Sequence, residues 1–217
     1  MNFLTNDRSG LKTFFEGVLD PFPDTYVTSV EKGAVMKGDH NLNPASFPSE
    51  AVSFKPAAVL VPIVMRDEAP SVILTRRASH LKKHAGQISF PGGRAEEEDA
   101  SVVQTALRES EEEISLDPSL VEVVGALSTY VTVTHYSVVP VVGFVEPDFD
   151  LTPEEGEVAE IFEVPLQFLL DRSNHQKHSG FHNGIERFWY AMPYNDYYIW
   201  GATAGMIKDL SERVHST

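Results

Sequence analysis

Three glutamates, Glu109, Glu112 and Glu113, follow Arg108 at i, i+3 and i+4 in a stretch that reads as a helix. Helical spacing puts their carboxylates on one neighbouring face, with Cβ atoms about 5–6 Å apart. Like charges this close repel, and no lysine stands four residues on to offset them. Runs of charge are usually solvated faces. Two features argue otherwise here. The acids sit toward the negative end of the helix dipole, where a carboxylate is disfavoured. They also follow a Pro91-Gly92-Gly93 turn preceded by a short apolar segment. A local cost with no local compensation marks a site. Clustered hard oxygen donors suit Mg2+ or Mn2+.

A pyrophosphate linkage suits such a site. It is anionic and repels hydroxide, so its hydrolysis needs charge neutralised, a water activated and the leaving phosphate stabilised. Arg108 keeps its proton at any ordinary pH and can hold a carboxylate in a bidentate pair, so its expected role is orientation. A second feature is basic. Arg76, Arg77, Lys82, Lys83 and Arg94 place five of the 17 basic residues within 19 positions, where about one or two would fall by chance. In so acidic a chain this reads as an anion-binding rim, with a solubilising loop as the plainer alternative. His80 and His84 share the segment, but nothing in the sequence assigns them a catalytic role.

The elements that must position these groups follow from periodicity. Val102, Val103, Ala106, Leu107, Ser110 and Ile114 recur every three or four residues as the buried stripe of the glutamate helix. Asp99 is its expected N-cap, with Glu96 to Glu98 near the positive end of the dipole. Glycines at 92 and 93 allow backbone angles other residues avoid and close approach to a ligand. Upstream, residues 7–19 read as an amphipathic helix, and residues 20–56 as an extended arm with one short strand at Tyr26–Ser29. Ala57–Met65 and Ser71–Arg76 read as an antiparallel hairpin, with Pro62 implying a bend or an edge, and Gln87–Phe90 as a short strand. Downstream, Val121–Leu127, Tyr136–Val145 and Glu157–Val164 read as strands, and Ser128–His135 as a segment lining the site. Pro165–Leu170 starts a short helix with proline at N1. A hairpin turning at Asn183-Gly184, a strand at Tyr197–Trp200 and a helix over Gly201–His215 complete the chain. The aromatics Phe188, Trp189, Tyr190, Tyr197, Tyr198 and Trp200 read as core and interface rather than a base-stacking platform.

The stretch from Arg108 to Leu116 resembles the Nudix box: Gly, five residues, Glu, seven residues, Arg-Glu, an apolar residue, any residue, Glu-Glu, any residue, Gly and an apolar residue. Arg108, Glu109, Glu112, Glu113 and Leu116 fit. Ser110 replaces the apolar residue and Ser115 the last glycine. One extra residue separates Gly93 from Arg108, so Asp99 or Glu98 must serve as the first acid. The segment Ile73 to Gly93 is similar to the signature of the coenzyme A pyrophosphatase branch: Leu-Leu-Thr-x-Arg-Ser, three residues, Arg, three residues, Gly, three residues, Phe-Pro-Gly-Gly. That branch tolerates the longer spacing. Beyond Ile73 for leucine, Ala78 stands for the serine and Lys82 for the arginine; lysine keeps the charge but loses bidentate phosphate geometry. The likeness runs from about Pro56 to Gly205 and includes Trp200-Gly-Ala-Thr-Ala-Gly205.

This resemblance implies an α/β class, a Nudix-fold α/β/α sandwich with a mixed β-sheet. Residues 1–55 would be a helix and arm packed on the core, and residues 56–217 the hydrolase domain. It implies metal binding by Glu109, Glu112 and Glu113, with Glu112 and Glu113 as core ligands and Glu109 as a ligand or the base that deprotonates water. A further carboxylate from a distant loop is expected. Glu157 is the candidate, an ordinary exposed acid the alternative. Arg76, Arg77, Lys82, Gly92 and Gly93 are the expected substrate contacts. The implied reaction is metal-dependent cleavage of coenzyme A and acyl-CoA to 3′,5′-ADP and (acyl-)4′-phosphopantetheine. Another nucleoside diphosphate derivative such as ADP-ribose is the alternative substrate. A non-catalytic ligand sensor is a third reading, and the retained glutamates argue against it.

Composition sets the remaining bounds. At 217 residues one domain with a sizeable core is expected. A formal net charge of −15 disfavours non-specific binding to nucleic acid or anionic membrane. With no cysteine there is no disulfide, thiol nucleophile or thiolate zinc site. Residues 1–8 lack the pattern of a signal peptide and no apolar run reaches membrane-spanning length, so a cytoplasmic enzyme with a small-molecule substrate is expected. The arm and the resemblance leave a homodimer open.

Overall fold

The computed structural model describes residues 8–29, 36–46, 52–182 and 184–216. Its centre is a pair of parallel strands, β2 (Lys55–Val64) and β8 (Tyr136–Val145), in register from Lys55 opposite Tyr136 to Val64 opposite Val145. Both are valine-rich and buried along nearly their whole length, as strands covered on both faces must be. Around them lie β1 (Lys37–Gly38), β3 (Ser71–Arg77), β4 (Ile88–Ser89), β5 (Gly92–Arg94), β6 (Val121–Ala126), β7 (Tyr130–Val131) and β9 (Val158–Pro165). Among the described residues they form one mixed sheet whose main path runs β1-β7-β8-β2-β3-β4. A separate sheet holds β10 (Gln176–His182), β11 (Ile185–Tyr194) and β12 (Tyr197–Trp200).

Alternation along the strands divides the core in two. Ala58, Leu60 and Val64 of β2, with Ile73, Val139, Val141 and Val145, meet Val102, Ala106 and Ile114 of α2 (Val102–Ile114). Val61 and Ile63, with Val72, Leu74, Val142 and Phe144, face the other way. There they meet α1 (Arg8–Val18), α3 (Leu166–Leu170) and α4 (Ala202–Val214). This is the expected α/β/α arrangement, with one α-helix on one face and three on the other among the described residues.

Several local expectations change. Tyr26–Ser29 is not a strand; the segment makes only an isolated bridge, Ser29 to Ser53. Pro62 lies in the central strand rather than at a bend or an edge. Its position falls between the stretch of β2 paired with β5, ending at Val59, and that paired with β3, beginning at Ile63, so no partner strand needs its missing N–H. The β2/β3 hairpin pairs only at Ile63–Val72 and Val64–Ser71 before β3 diverges to β9 and β4. Pro165 caps α3 from just outside rather than occupying N1. Within Ser128–His135, Tyr130 turns toward α4, touching Gly205 and donating to Asp39 at 2.9 Å, away from α2. Asp7, Asn183 and much of the arm lie outside the described residues. Gly184 holds φ 76 in the β10–β11 turn, where glycine's freedom is needed. No described helix is long and apolar enough to cross a membrane.

Candidate active site

The site is built where β5 turns into α2. Gly92 has φ 147, and a Cβ there would lie 2.5 Å from both the Ala58 carbonyl oxygen and the Val59 Cα. A Cβ on Gly93 would lie 2.3 Å from Oε2 of Glu109. The two glycines therefore let the chain press flat against β2 and let a carboxylate press flat against the chain. Gly92 N–H donates to Oε2 of Glu113 at 3.1 Å. Glu109 and Glu113, one helical turn apart, thus share the glycine turn. Glu112 does not: its side chain is 59% exposed and reaches Arg108 instead.

Arg108 is fully engaged. Nε donates to Oδ1 of Asp99 at 3.0 Å, and Nη2 to Oδ2 of Asp99 at 2.9 Å and to the Arg94 carbonyl at 3.0 Å. Nη1 lies 3.0 Å from both Glu109 Oε1 and Glu112 Oε2. Asp99 is not the N-cap. Ser101 caps α2, its Oγ accepting from Gln104 N–H at 3.1 Å. That leaves the Asp99 side chain, 2% exposed, free to turn back under Arg108. Of the two candidates for the first acid, Asp99 therefore makes the contact, while Glu96 to Glu98 are exposed. At the far end Ser115 adopts φ 56, the left-handed C-cap conformation that glycine fills most easily.

The β8–β9 loop, residues 146–157, is sewn onto the end of α2. Thr152 N–H donates to the Ile114 carbonyl at 3.1 Å and Glu154 N–H to the Glu113 carbonyl at 2.9 Å, satisfying carbonyls that a helix end leaves open. This brings Glu157 near enough for its charge to act on both Glu109 and Glu113. Burial pushes Glu113 up to about 7, against the Gly92 N–H and the Arg77 guanidinium. Burial likewise raises Glu109, with Arg108 opposing. The Arg108 hydrogen bonds hold Asp99 at about 2.

The basic residues do not form one rim. Arg77 points toward α2, its Nη1 3.6 Å from Oε1 of Glu113, and its buried Nε makes no hydrogen bond among the described residues. Arg76, the next residue on the strand, points to the opposite face. There its Nε lies 3.4 Å from Glu160 Oε2, and its guanidinium sits 5.0 Å from the centre of the Tyr197 ring. Lys82 and Lys83 are exposed in the β3–β4 loop, and Arg94 is exposed on β5. That loop docks on the Glu157 loop: Ala78 N–H donates to the Glu157 carbonyl at 2.8 Å, and His80 Nε2 lies 3.1 Å from the Gly156 carbonyl. Thr105 and Tyr26, hydrogen-bonded behind Asp99, carried no signal in the sequence.

Residues 54–183 match the family model for the NUDIX domain. The chain belongs to the Nudix hydrolases. It is 43% identical over 166 residues to a protein of Escherichia coli O1:K1 named as an uncharacterized Nudix hydrolase, NudL, covering 76% of this chain and 85% of that one. A protein of the same name from Shigella boydii serotype 18 matches equally. Among solved structures, the Nudix hydrolase RenU from M. smegmatis superposes with a TM-score of 0.51 over 89% of this chain and 96% of that one. At 16% identity this likeness shows the Nudix fold alone.

Nudix hydrolases generally use divalent ions such as Mg2+ or Mn2+. The donor chemistry here fits such an ion. The two side chains that press on the glycine turn, Glu109 and Glu113, offer carboxylate oxygens, and burial makes both unfavourable as anions. Among the described residues no three acids or imidazoles already converge as a cage. Arg108 and Arg77 instead hold the glutamates in separate ion pairs.

Proposed function

We propose that this Nudix hydrolase splits the pyrophosphate bond of coenzyme A and acyl-CoA derivatives, yielding 3′,5′-ADP and (acyl-)4′-phosphopantetheine. The observation that carries the reading is the junction of two motifs. The coenzyme A pyrophosphatase-like segment from Ile73 ends in Gly92-Gly93, and that turn is where Glu109 and Glu113 of the box helix lie.

In this reading Glu109, Glu112, Glu113 and Glu157 would hold Mg2+ or Mn2+, which supplies charge neutralisation and a water of lowered pKa. The chain's own residues do the rest. Arg108, anchored by Asp99, keeps two carboxylates in place until substrate arrives. Arg77, close to Glu113 and holding an unused N–H, offers a cation for the diphosphate. Lys82 on its exposed loop offers another. Gly92 and Gly93, the expected substrate contacts, give their space to β2 and to the Glu109 carboxylate, so the turn would meet the diphosphate through Glu109 rather than through open backbone. Water adds across the P–O–P link: a P–O bond forms, another breaks, and the proton passes to a carboxylate, for which Glu109 is the candidate base. Arg76, expected as a substrate contact beside Arg77, is turned to the opposite face toward Glu160 and Tyr197.

Product analysis with coenzyme A in Mg2+, Mn2+ and EDTA tests the reading. Metal-dependent release of 3′,5′-ADP, with preference over dephospho-coenzyme A, is expected. Silence on coenzyme A with cleavage of ADP-ribose would overturn the substrate in favour of the second reading, which Ala78 and Lys82 keep in view. Silence on both would favour a sensor.

A further inference from the structure

The hydrogen-bond chain that holds Arg108 continues past Asp99. The Thr105 hydroxyl, one turn into α2, donates to Oδ2 of Asp99 at 2.9 Å. Tyr26 Oη in turn donates to Oγ1 of Thr105 at 2.8 Å. The directions are set from the inside outward. Asp99, paired with Arg108, is a carboxylate and can only accept, so Thr105 donates to it. Thr105 has one proton, so its oxygen is left to accept from Tyr26.

Tyr26 stands outside residues 54–183, the part of the chain that matches the NUDIX domain. Its segment is nonetheless fixed. Asp20 bridges to Ala126, Phe54 N–H donates to the Thr28 carbonyl at 2.9 Å, and Ser29 bridges to Ser53. The half-buried Tyr26 ring packs with Phe22 against the cluster that includes Val102 and Ala106. Thr105 also has a competing acceptor, the Ser101 carbonyl at 3.4 Å. Without Tyr26 occupying its oxygen, the hydroxyl rotor has less reason to prefer Asp99, and Asp99 loses one of the donors that orient it.

We propose that Tyr26 is a positioning residue for the box glutamates, acting through Thr105, Asp99 and Arg108 on Glu109 and Glu112. The arm thereby becomes part of the active-site framework. The proposal rests on the metal-dependent hydrolase reading above.

The test measures Mn2+ affinity of metal-free protein by calorimetry, together with steady-state turnover and thermal unfolding. The variants are Tyr26→Phe, Thr105→Ser, Thr105→Val and the double Tyr26→Phe/Thr105→Val. Tyr26→Phe should lower Mn2+ affinity and kcat by about three- to tenfold, at or below the low end of the ~10–100-fold lost when a partner of a metal ligand is removed. KM and the unfolding midpoint should stay near wild type. Thr105→Ser, which keeps the hydroxyl, should retain function. Thr105→Val should match Tyr26→Phe, and the double variant should be no worse than Thr105→Val, because both break one chain. Wild-type Mn2+ affinity and kcat in Tyr26→Phe, or additive losses in the double variant, would overturn the relay. The two readings fail separately. A wild type that binds Mn2+ but cleaves no substrate sinks the hydrolase reading, while the Mn2+ affinities still judge Tyr26. An active wild type with an unaffected Tyr26→Phe sinks the relay alone. A wild type that binds no Mn2+ overturns both.

Discussion

Asp99 grips Arg108 with both carboxylate oxygens, Oδ1 3.0 Å from Nε and Oδ2 2.9 Å from Nη2. A bidentate pair of this kind fixes the plane of the guanidinium as well as its position. The remaining nitrogen, Nη1, is thereby aimed at Glu109 and Glu112. Asp99 and the arginine nine residues later form one unit.

Replacing that acid should cost stability in a pH-dependent way. Asp99 titrates near 3.8 when unpaired and at about 2 in the fold. A depressed carboxylate contributes stability above its unfolded pKa and loses it as pH falls through the folded one. The shift corresponds to about 2 kcal/mol. Urea unfolding of Asp99→Asn at pH 7 should show a loss of that order. The gap to wild type should close between pH 4 and 2. A gap that persists unchanged at pH 2 would mean that Arg108 is not what lowers Asp99.

The two glycines should separate fold from function. A methyl on Gly93 meets the end of a flexible side chain, Glu109, whereas one on Gly92 meets the backbone of Ala58 and Val59 at φ 147. Gly93→Ala should therefore fold with a near-normal melting temperature and lose metal affinity and turnover by at least about tenfold, as Glu109 is pushed aside. Gly92→Ala should lose about 1–3 kcal/mol or more of stability from backbone strain alone. Thermal unfolding and Mn2+ titration of both variants check this. Equal effects on stability would contradict it.

Glu113 should stabilise the metal-free protein when neutralised. Its carboxyl is raised from 4.5 to about 7 by burial. The fold therefore binds a proton more tightly than the unfolded chain does, and stability falls as pH rises from 4.5 through 7. In EDTA at pH 8, Glu113→Gln should be more stable than wild type, by up to roughly 3 kcal/mol. Near pH 4 the two should coincide. The same variant should bind Mn2+ poorly. Denaturant melts at both pH values measure it, and a wild type that is the more stable of the two at pH 8 would refute the burial argument.

Much of this site was legible in the chain itself. Arg108, Glu109, Glu112 and Glu113 announce themselves because helical spacing is local, and the Pro91-Gly92-Gly93 turn because glycine's steric freedom is a property of the residue. The α/β/α layering followed from the family motif rather than from periodicity. The valine-rich strands β2 and β8 show burial on both faces but do not say which strands flank them.

What failed to show was which partner each polar group chose. Asp99 satisfies the residue preferences of an N-cap as well as Ser101 does, and only the path of the chain into α2 decides between them. Arg76 and Arg77 look alike in a count of charges, yet strand alternation sends them to opposite faces.

The sequence by itself determined that Glu109, Glu112 and Glu113 leave one stretch of helix as neighbours, since a helix sets Cβ spacing over a few residues. Tertiary structure decided that Glu109 and Glu113 share the glycine turn while Glu112 turns to Arg108. It also decided that Glu157 approaches through a loop sewn to the helix end, and that Tyr26 reaches Thr105 across 79 residues of chain. The physical reason is reach. Backbone spacing governs neighbours within a turn or two. Hydrogen bonds between distant segments are settled by packing, when two buried faces close on each other and each polar group left between them must find a partner.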